Sequence, residues 1–140
     1  RVKENVLDGD NTLPQSGTNR DFCYSSGYEY WGKMESDGNV LSSGKKETVL
    51  RSNKKKIKRD ATYDMIVHYE VIQAKEDNAA VFRIRNAQDE IIAEQEMPKD
   101  ATEIRIRDVS VTQSMEWIRY RINSQKGSKI RIKSIETVAQ

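Results

Sequence analysis

The sequence predicts an all-β domain of two antiparallel layers, and three observations predict it. Ile and Val together number 23, whereas Leu occurs at four positions, Leu7, Leu13, Leu41 and Leu50, a bias that suits pleated sheets better than helices. Apolar and polar residues alternate along several segments after Arg59, with the period of two that marks a half-buried strand. Turn-forming clusters separate these segments at intervals of roughly 8 to 14 residues, which favours a sandwich over a parallel βαβ sheet.

Residues 1–44 are rich in Gly, Asn, Ser and Asp, with short apolar stretches, and read as short strands joined by long loops. Within them Asn19 to Trp31 holds five of the chain's ten aromatics, the density of either a packing corner or a binding loop. From Lys45 to Arg59 the chain carries eight cations against a single acid, Glu47, and reads as a strand around Thr48 to Leu50 followed by a solvated hairpin tip.

In Tyr63 to Val71 the odd positions Tyr63, Met65, Val67, Tyr69 and Val71 point inward, and Asp64, Ile66, His68 and Glu70 point outward. The same code places Phe82 and Ile84 in with Arg83 and Arg85 out, then Ile104 and Ile106 in with Arg105 and Arg107 out. It recurs in Trp117 to Asn123, where Ile118, Tyr120 and Ile122 go in, and in Ile130 to Ile135. The predicted core is Tyr63, Met65, Val67, Tyr69, Phe82, Ile84, Ile104, Ile106, Ile118, Tyr120, Ile122, Ile130 and Ile132. Turn signals fall at Lys75–Asn78, Asn86–Asp89, Met97–Asp100 and Ser124–Gly127. Roughly 8 to 10 strands are expected, and no helix.

At 140 residues the chain has the length of one domain, so residues 1–140 are read as a single β-sandwich. Arg1 in place of an initiator Met suggests a module excised from a larger parent chain. Hydrophobic residues are 36% and charged residues 33%, so the core is thin. No stretch approaches the ~18 to 20 apolar residues of a membrane span.

Chemistry narrows further. The single thiol, Cys23, forms neither an internal disulfide nor a multi-Cys zinc site, and the single histidine, His68, excludes HExxH metalloproteases. No G-x-S-x-G nucleophile elbow is present, so a noncatalytic protein is expected. Asp8-Gly9-Asp10-Asn11 resembles the opening of a calcium loop but fails as an EF-hand, because the twelfth position is Asn19 and the sixth is Leu13. A structural Ca²⁺ held by loop oxygens is the remaining metal expectation, and no other cofactor is expected.

Two surfaces stand out. Arg83, Arg85, Arg105, Arg107, Arg119, Arg121, Arg131 and Lys133 all point away from the core, divided between the two sheets of a sandwich. Cross-strand pairing with Glu70, Glu94, Glu96, Glu103 and Glu116 is one explanation, and residues 61–140 hold 12 bases against 13 acids in its favour. An arginine-lined groove for an anionic polymer is the other, since guanidinium groups grip carboxylate or phosphate bidentately. Tyr28, Tyr30, Trp31 and Trp117 are the aromatics left over from the core, suited to stacking on sugar rings.

The opening Asn5-Val6-Leu7-Asp8-Gly9-Asp10, the central Tyr63 to Val71, Ala80 to Asn86 and the closing Lys129 to Val138 together resemble the strands of jelly-roll, carbohydrate-binding-module-like domains. Such domains accompany glycan-active enzymes, cell-wall glycan synthases and bacteriophage tail proteins. The resemblance spans nearly the whole chain. It implies a noncatalytic jelly-roll sandwich that binds a glycan on its concave sheet or loop rim, at the cell surface, outside the cell or on a virion. The abundance of Arg favours an anionic cell-wall or cell-surface polysaccharide over a neutral crystalline one. The candidate ligand-binding residues are Tyr28, Tyr30, Trp31, His68, Arg83, Arg85, Trp117, Arg119 and Arg121. The alternative is an assembly module of a phage-tail or surface protein, forming a homo-oligomer without sugar binding. Nucleic acid is not the expected partner, because Lys45 to Arg59 alone supports it.

Overall fold

A computed structural model describes residues 29–31, 33–34, 40–45, 47–52, 54 and 58–140. These residues form ten strands: β1 (Glu29–Trp31), β2 (Lys33–Met34), β3 (Val40–Ser42), β4 (Thr48–Arg51), β5 (Ala61–Gln73), β6 (Asn78–Asn86), β7 (Ile91–Pro98), β8 (Glu103–Val111), β9 (Ile118–Ser124) and β10 (Lys129–Ala139). The strands make two five-stranded antiparallel sheets, in the order β1-β4-β9-β6-β7 (sheet I) and β2-β3-β10-β5-β8 (sheet II). Strands that follow one another in the chain mostly fall in different sheets or positions, as a jelly-roll sandwich requires. Among the described residues there is no helix, and so none long and apolar enough to cross a membrane.

All thirteen core positions read from the alternation are buried, none more than 9% exposed. The sheets are joined through Tyr120 of β9. Its ring lies 5.7 Å from Phe82 of β6, and its hydroxyl hydrogen-bonds Thr137 Oγ1 of β10 at 2.8 Å and approaches Met65 Sδ of β5 at 3.9 Å. The phenol is wholly buried, so this partner is what makes its burial tolerable.

The structure adds two strands to those read from the sequence, the two-residue β2 and the longer β7. β7 occupies Ile91–Pro98, between two segments that read as turns. It is the edge of sheet I, with a neighbour on one side only, and Glu94, Gln95 and Glu96 are all exposed. An edge strand with little to bury carries no clean alternation. Met97, which pairs with Ala80, is nevertheless fully buried although it falls inside an expected turn.

On sheet II, Asp64 faces away from the core as expected, yet it is fully buried. A register shift between Tyr63 and Met65 against β8 accommodates an extra residue there, and Asp108 adopts a left-handed backbone with φ 59°. The Asp108 N–H donates to Asp64 Oδ1 at 3.2 Å, Gln140 Nε2 donates to the same oxygen at 2.6 Å, and Arg105 Nη1 reaches Asp64 Oδ2 at 3.1 Å. The buried charge is thereby satisfied.

Two predictions follow from this core. Phe82→Ala should lower the unfolding free energy by about 3 to 5 kcal/mol, read from the urea midpoint. Tyr69 is fully buried and donates its hydroxyl to the Pro98 carbonyl at 2.7 Å, and burial pushes its pKa up from 10.0 to about 12. Its protonated form is the folded one, so its contribution is complete below pH 10 and is lost as pH rises toward 12, roughly 2 to 3 kcal/mol in all. Urea midpoints measured from pH 9 to 12 should fall over that window, and Tyr69→Phe should flatten the fall.

Candidate functional site

The outer face of sheet I is set by what its strands bury. Ile118, Tyr120 and Ile122 of β9 are fully interior, which leaves Arg119 and Arg121 outside. Phe82 and Ile84 of β6 do the same for Val81, Arg83 and Arg85, and Thr48 and Leu50 of β4 do so for Val49 and Arg51. Strand register then aligns the arginines. Arg51 stands opposite Arg121, which stands opposite Arg83, and one step along the face Arg119 stands opposite Arg85. The result is a row of three arginines beside a row of two. Sheet geometry spaces neighbours in a row by about 4.8 Å and the rows by about 6.8 Å at the backbone.

Trp117 precedes β9 and extends this group. Arg119 Cζ lies 5.1 Å from its ring centroid and Lys54 Nζ lies 5.2 Å from it, both within cation–π range. A partly exposed indole thus sits at the end of the two-arginine row.

Like charges directly opposite one another across a sheet destabilise it. The pKa of Arg121 is lowered by burial and then by Arg85 and Arg83; that of Arg51 is lowered by burial and then by Arg119 and Arg121. Acids answer this charge: Asp89 and Glu47 act on Arg121 in the opposite sense, Arg83 Nε donates to Glu94 Oε2 at 2.5 Å, and Arg85 Nη1 donates to the Asp89 carbonyl at 2.7 Å with Asp89 Oδ1 at 3.6 Å. The turn that presents Asp89 is built on Asn86, whose Oδ1 accepts the N–H groups of Gln88 and Glu90, and Asp89 itself has φ 60°. Among the described residues, the buried Nε atoms of Arg85 and Arg119 have no hydrogen-bond partner.

Beyond the three-arginine row the face changes sign. A cleft of about 550 Å³ is lined by Glu47, Glu76, Asp77, Glu96, Asn78 and Val81, with Gln125 and Lys126. Asn123, opposite Val81, donates to Glu47 Oε2 at 3.2 Å, and Asn78 donates to Glu96 Oε2 at 2.8 Å. The face as a whole offers forked donors for anions, an indole for stacking, and oxygen acceptors at its far end.

The structure therefore brings together Arg83, Arg85, Trp117, Arg119 and Arg121. It does not bring His68 to them. His68 points away from the core as its parity requires, but it belongs to β5 in sheet II, where Nε2 meets Glu136 Oε1 at 2.5 Å and Nδ1 lies 3.9 Å from Glu103 Oε1. Arg105 and Arg107 share that sheet and converge on the buried Asp64, at 3.1 and 3.9 Å. Tyr28 lies outside the described residues, as does the Asp8–Asn11 segment expected to hold Ca²⁺. For Tyr30 and Trp31 the backbone alone is described, in β1, registered opposite Leu50 and Val49. Among the described residues no three His, Cys, Asp or Glu side chains cluster as metal ligands. Arg51 and Lys54 were not read from the sequence as part of this surface. Both lie in the lysine-rich segment, although the alternation of Thr48, Val49, Leu50 and Arg51 is a signal that could have found Arg51.

No protein-family model matches the sequence, and no curated protein matches it. Solved structures do match in fold. CBM86, a low-affinity xylan-binding module from Roseburia intestinalis, is 13% identical with a TM-score of 0.58, covering 100% of this chain and 97% of its own. The enzymatically active domain of tailspike protein 4 of bacteriophage CBA120 is 9% identical with a TM-score of 0.61, over 90% of this chain; the match spans 22% of the tailspike chain. A CBM61 module solved with β-1,4-galactotriose is 8% identical with a TM-score of 0.50, over 89% of this chain and 99% of that one. The chain has the jelly-roll fold found in carbohydrate-binding modules and in a phage tailspike.

Proposed function

We propose that this protein is a noncatalytic carbohydrate-binding module that docks a cell-wall or cell-surface glycan carrying negative charge on the outer face of sheet I. One observation carries the reading: Trp117, partly exposed, is joined through Arg119 to two rows of outward arginines on a single sheet. Flat rings beside fixed hydrogen-bond donors are how proteins hold sugars, the ring covering the apolar face and the donors fixing the rim. The fold supports the reading, since CBM86 and CBM61 are sugar-binding modules built on it.

In this reading Arg83, Arg85, Arg119 and Arg121 contact the anionic groups, and Trp117 stacks on the ring. Tyr28 and Trp31 are proposed to contribute as well, whereas Tyr30 is registered opposite the interior Leu50. His68 is assigned a structural role between Glu103 and Glu136. The module is proposed to act outside the cell or on a virion, as one domain of a larger chain. Histidine-based catalysis is not part of this reading, since His68 lies between two carboxylates on the opposite sheet.

Glycan-array binding followed by calorimetry tests the assignment. Arg119→Ala should weaken binding of a charged glycan by roughly 1.5 to 3 kcal/mol with the melting temperature nearly unchanged. Trp117→Ala should reduce affinity for charged and neutral segments alike. If Trp117→Ala unfolds the domain while Arg119→Ala leaves every titration unaltered, the reading fails. Light scattering then examines the assembly-module alternative, which predicts a homo-oligomer without glycan affinity.

A further inference from the structure

One register step beyond the arginines, sheet I changes its chemistry. Asn123, Val81 and Glu96 stand opposite one another across β9, β6 and β7, and Val81 and Glu96 line the acidic cleft. Resting on the glycan-binding reading, we infer that this cleft receives an amino sugar with a free ammonium group, so that the glycan docked on sheet I carries cationic as well as anionic substituents.

Charge and hydrogen-bonding capacity point the same way. The cleft is lined by the carboxylates of Glu47, Glu76, Asp77 and Glu96, with Lys126 as the one cation among its lining residues. Asp77 has Lys99 at 3.9 Å, whereas among the described residues Glu47, Glu76 and Glu96 form no ion pair. Glu47 acts on Arg121 from a distance, and otherwise neutral amides meet these acids: Asn123 donates to Glu47 at 3.2 Å and Asn78 to Glu96 at 2.8 Å. Those amide donors are thereby used, and the cleft presents mostly acceptor oxygens and negative charge. An ammonium group has three donors, a positive charge and no acceptor.

Asn123 is an independent sign of a missing donor. Its parity turns it to the outer face, where its carboxamide is directed at Glu47 in the cleft wall, yet the residue is only 7% exposed. A carboxylate only accepts hydrogen bonds, so this contact fixes Nδ2 toward Glu47 and turns Oδ1 away. That oxygen is buried and, among the described residues, has no hydrogen-bond partner. An acceptor left so costs free energy, and a donor entering beside Glu47 answers it. Size favours a sugar over a bare ion. A volume of about 550 Å³ takes a whole ring, with Val81 against its carbon face, and among the described residues no three acidic side chains are grouped as metal ligands. Arg83 and Arg121 lie about 7 Å along the strands from this row, within reach of the next sugar of the same polymer.

The test uses the whole 140-residue chain. It is titrated with a glucosamine tetramer, the N-acetylated tetramer, a xylose tetramer, oligogalacturonate and calcium chloride, followed by calorimetry and by nitrogen–proton correlation spectra. At about pH 6 the glucosamine tetramer should bind at least about tenfold more tightly than its N-acetylated counterpart, and the preference should vanish at alkaline pH as the amine loses its charge. Shifts should centre on the Asn123 side-chain amide and the Val81 N–H. Glu76→Gln should remove most of the preference with the melting temperature nearly unchanged, since Glu76 has no ion pair to lose. Arg119→Ala, in the arginine rows, should not reduce it.

Equal affinity for the two tetramers overturns the inference, as does a preference that survives Glu76→Gln with shifts spread over the whole surface. Calcium that binds at the Asn123 amide and excludes the glucosamine tetramer overturns it in favour of a metal site. Oligogalacturonate binding weakened by Arg119→Ala, with no response to the glucosamine tetramer, overturns it and leaves the glycan reading standing. Failure of every oligosaccharide overturns this inference and the glycan reading together.

Discussion

The structure depends on the position of Tyr120. Its ring is packed on Phe82 in its own sheet, and its hydroxyl is bonded to Thr137 in the other, so this side chain ties the two layers and cannot turn outward without leaving a buried gap. Strand geometry does the rest. With Tyr120 inside, Arg119 and Arg121 must be outside, and β4 and β6, hydrogen-bonded on either side of β9, inherit the same parity. The charged surface is therefore a consequence of core packing and not an independent decoration. A slip of one residue in β9 would bury two guanidinium groups and expose three core residues together.

The two sheets treat the same residue type in opposite ways. Arg105 and Arg107 are absorbed into the fold by Asp64, which is itself held by the Asp108 N–H and Gln140. The arginines of sheet I face one another across strands, with Glu94 and Asp89 meeting Arg83 and Arg85 on the β6–β7 side. A sequence count of bases and acids cannot separate these cases. It balances over residues 61–140 because acids of both sheets and of the turns are pooled, while attraction and repulsion act within a few ångströms.

Much of the fold was legible in the sequence, because β5, β6, β8, β9 and β10 give one side to apolar core residues and the other mostly to polar ones, which writes a period of two; in β5 the outward Asp64 and Ile66 are buried as well, which the period does not show. β7 was not legible, since an edge strand with Glu94, Gln95 and Glu96 in succession buries too little to show a period. For the site, outward parity found Arg83, Arg85, Arg119 and Arg121. The same parity placed His68 with them, because it records inside or outside and carries no information about which sheet a strand joins. Arg51 was hidden by the shortness of β4 and by the surrounding lysines.

The exposed margin of sheet I has a consequence for self-association. A bare strand edge offers unpaired N–H and C=O groups to any passing chain, and extended apolar edges invite a second molecule to continue the sheet. β7 presents Glu94, Gln95 and Glu96 along that margin and ends at Pro98, which has no N–H to give. Two copies meeting there would bring equal acidic runs together. Crowding of this domain at a surface, or its repetition within a long fibre, would then leave each sandwich separate, with stacking between molecules directed to faces and loops and away from growth of a shared sheet.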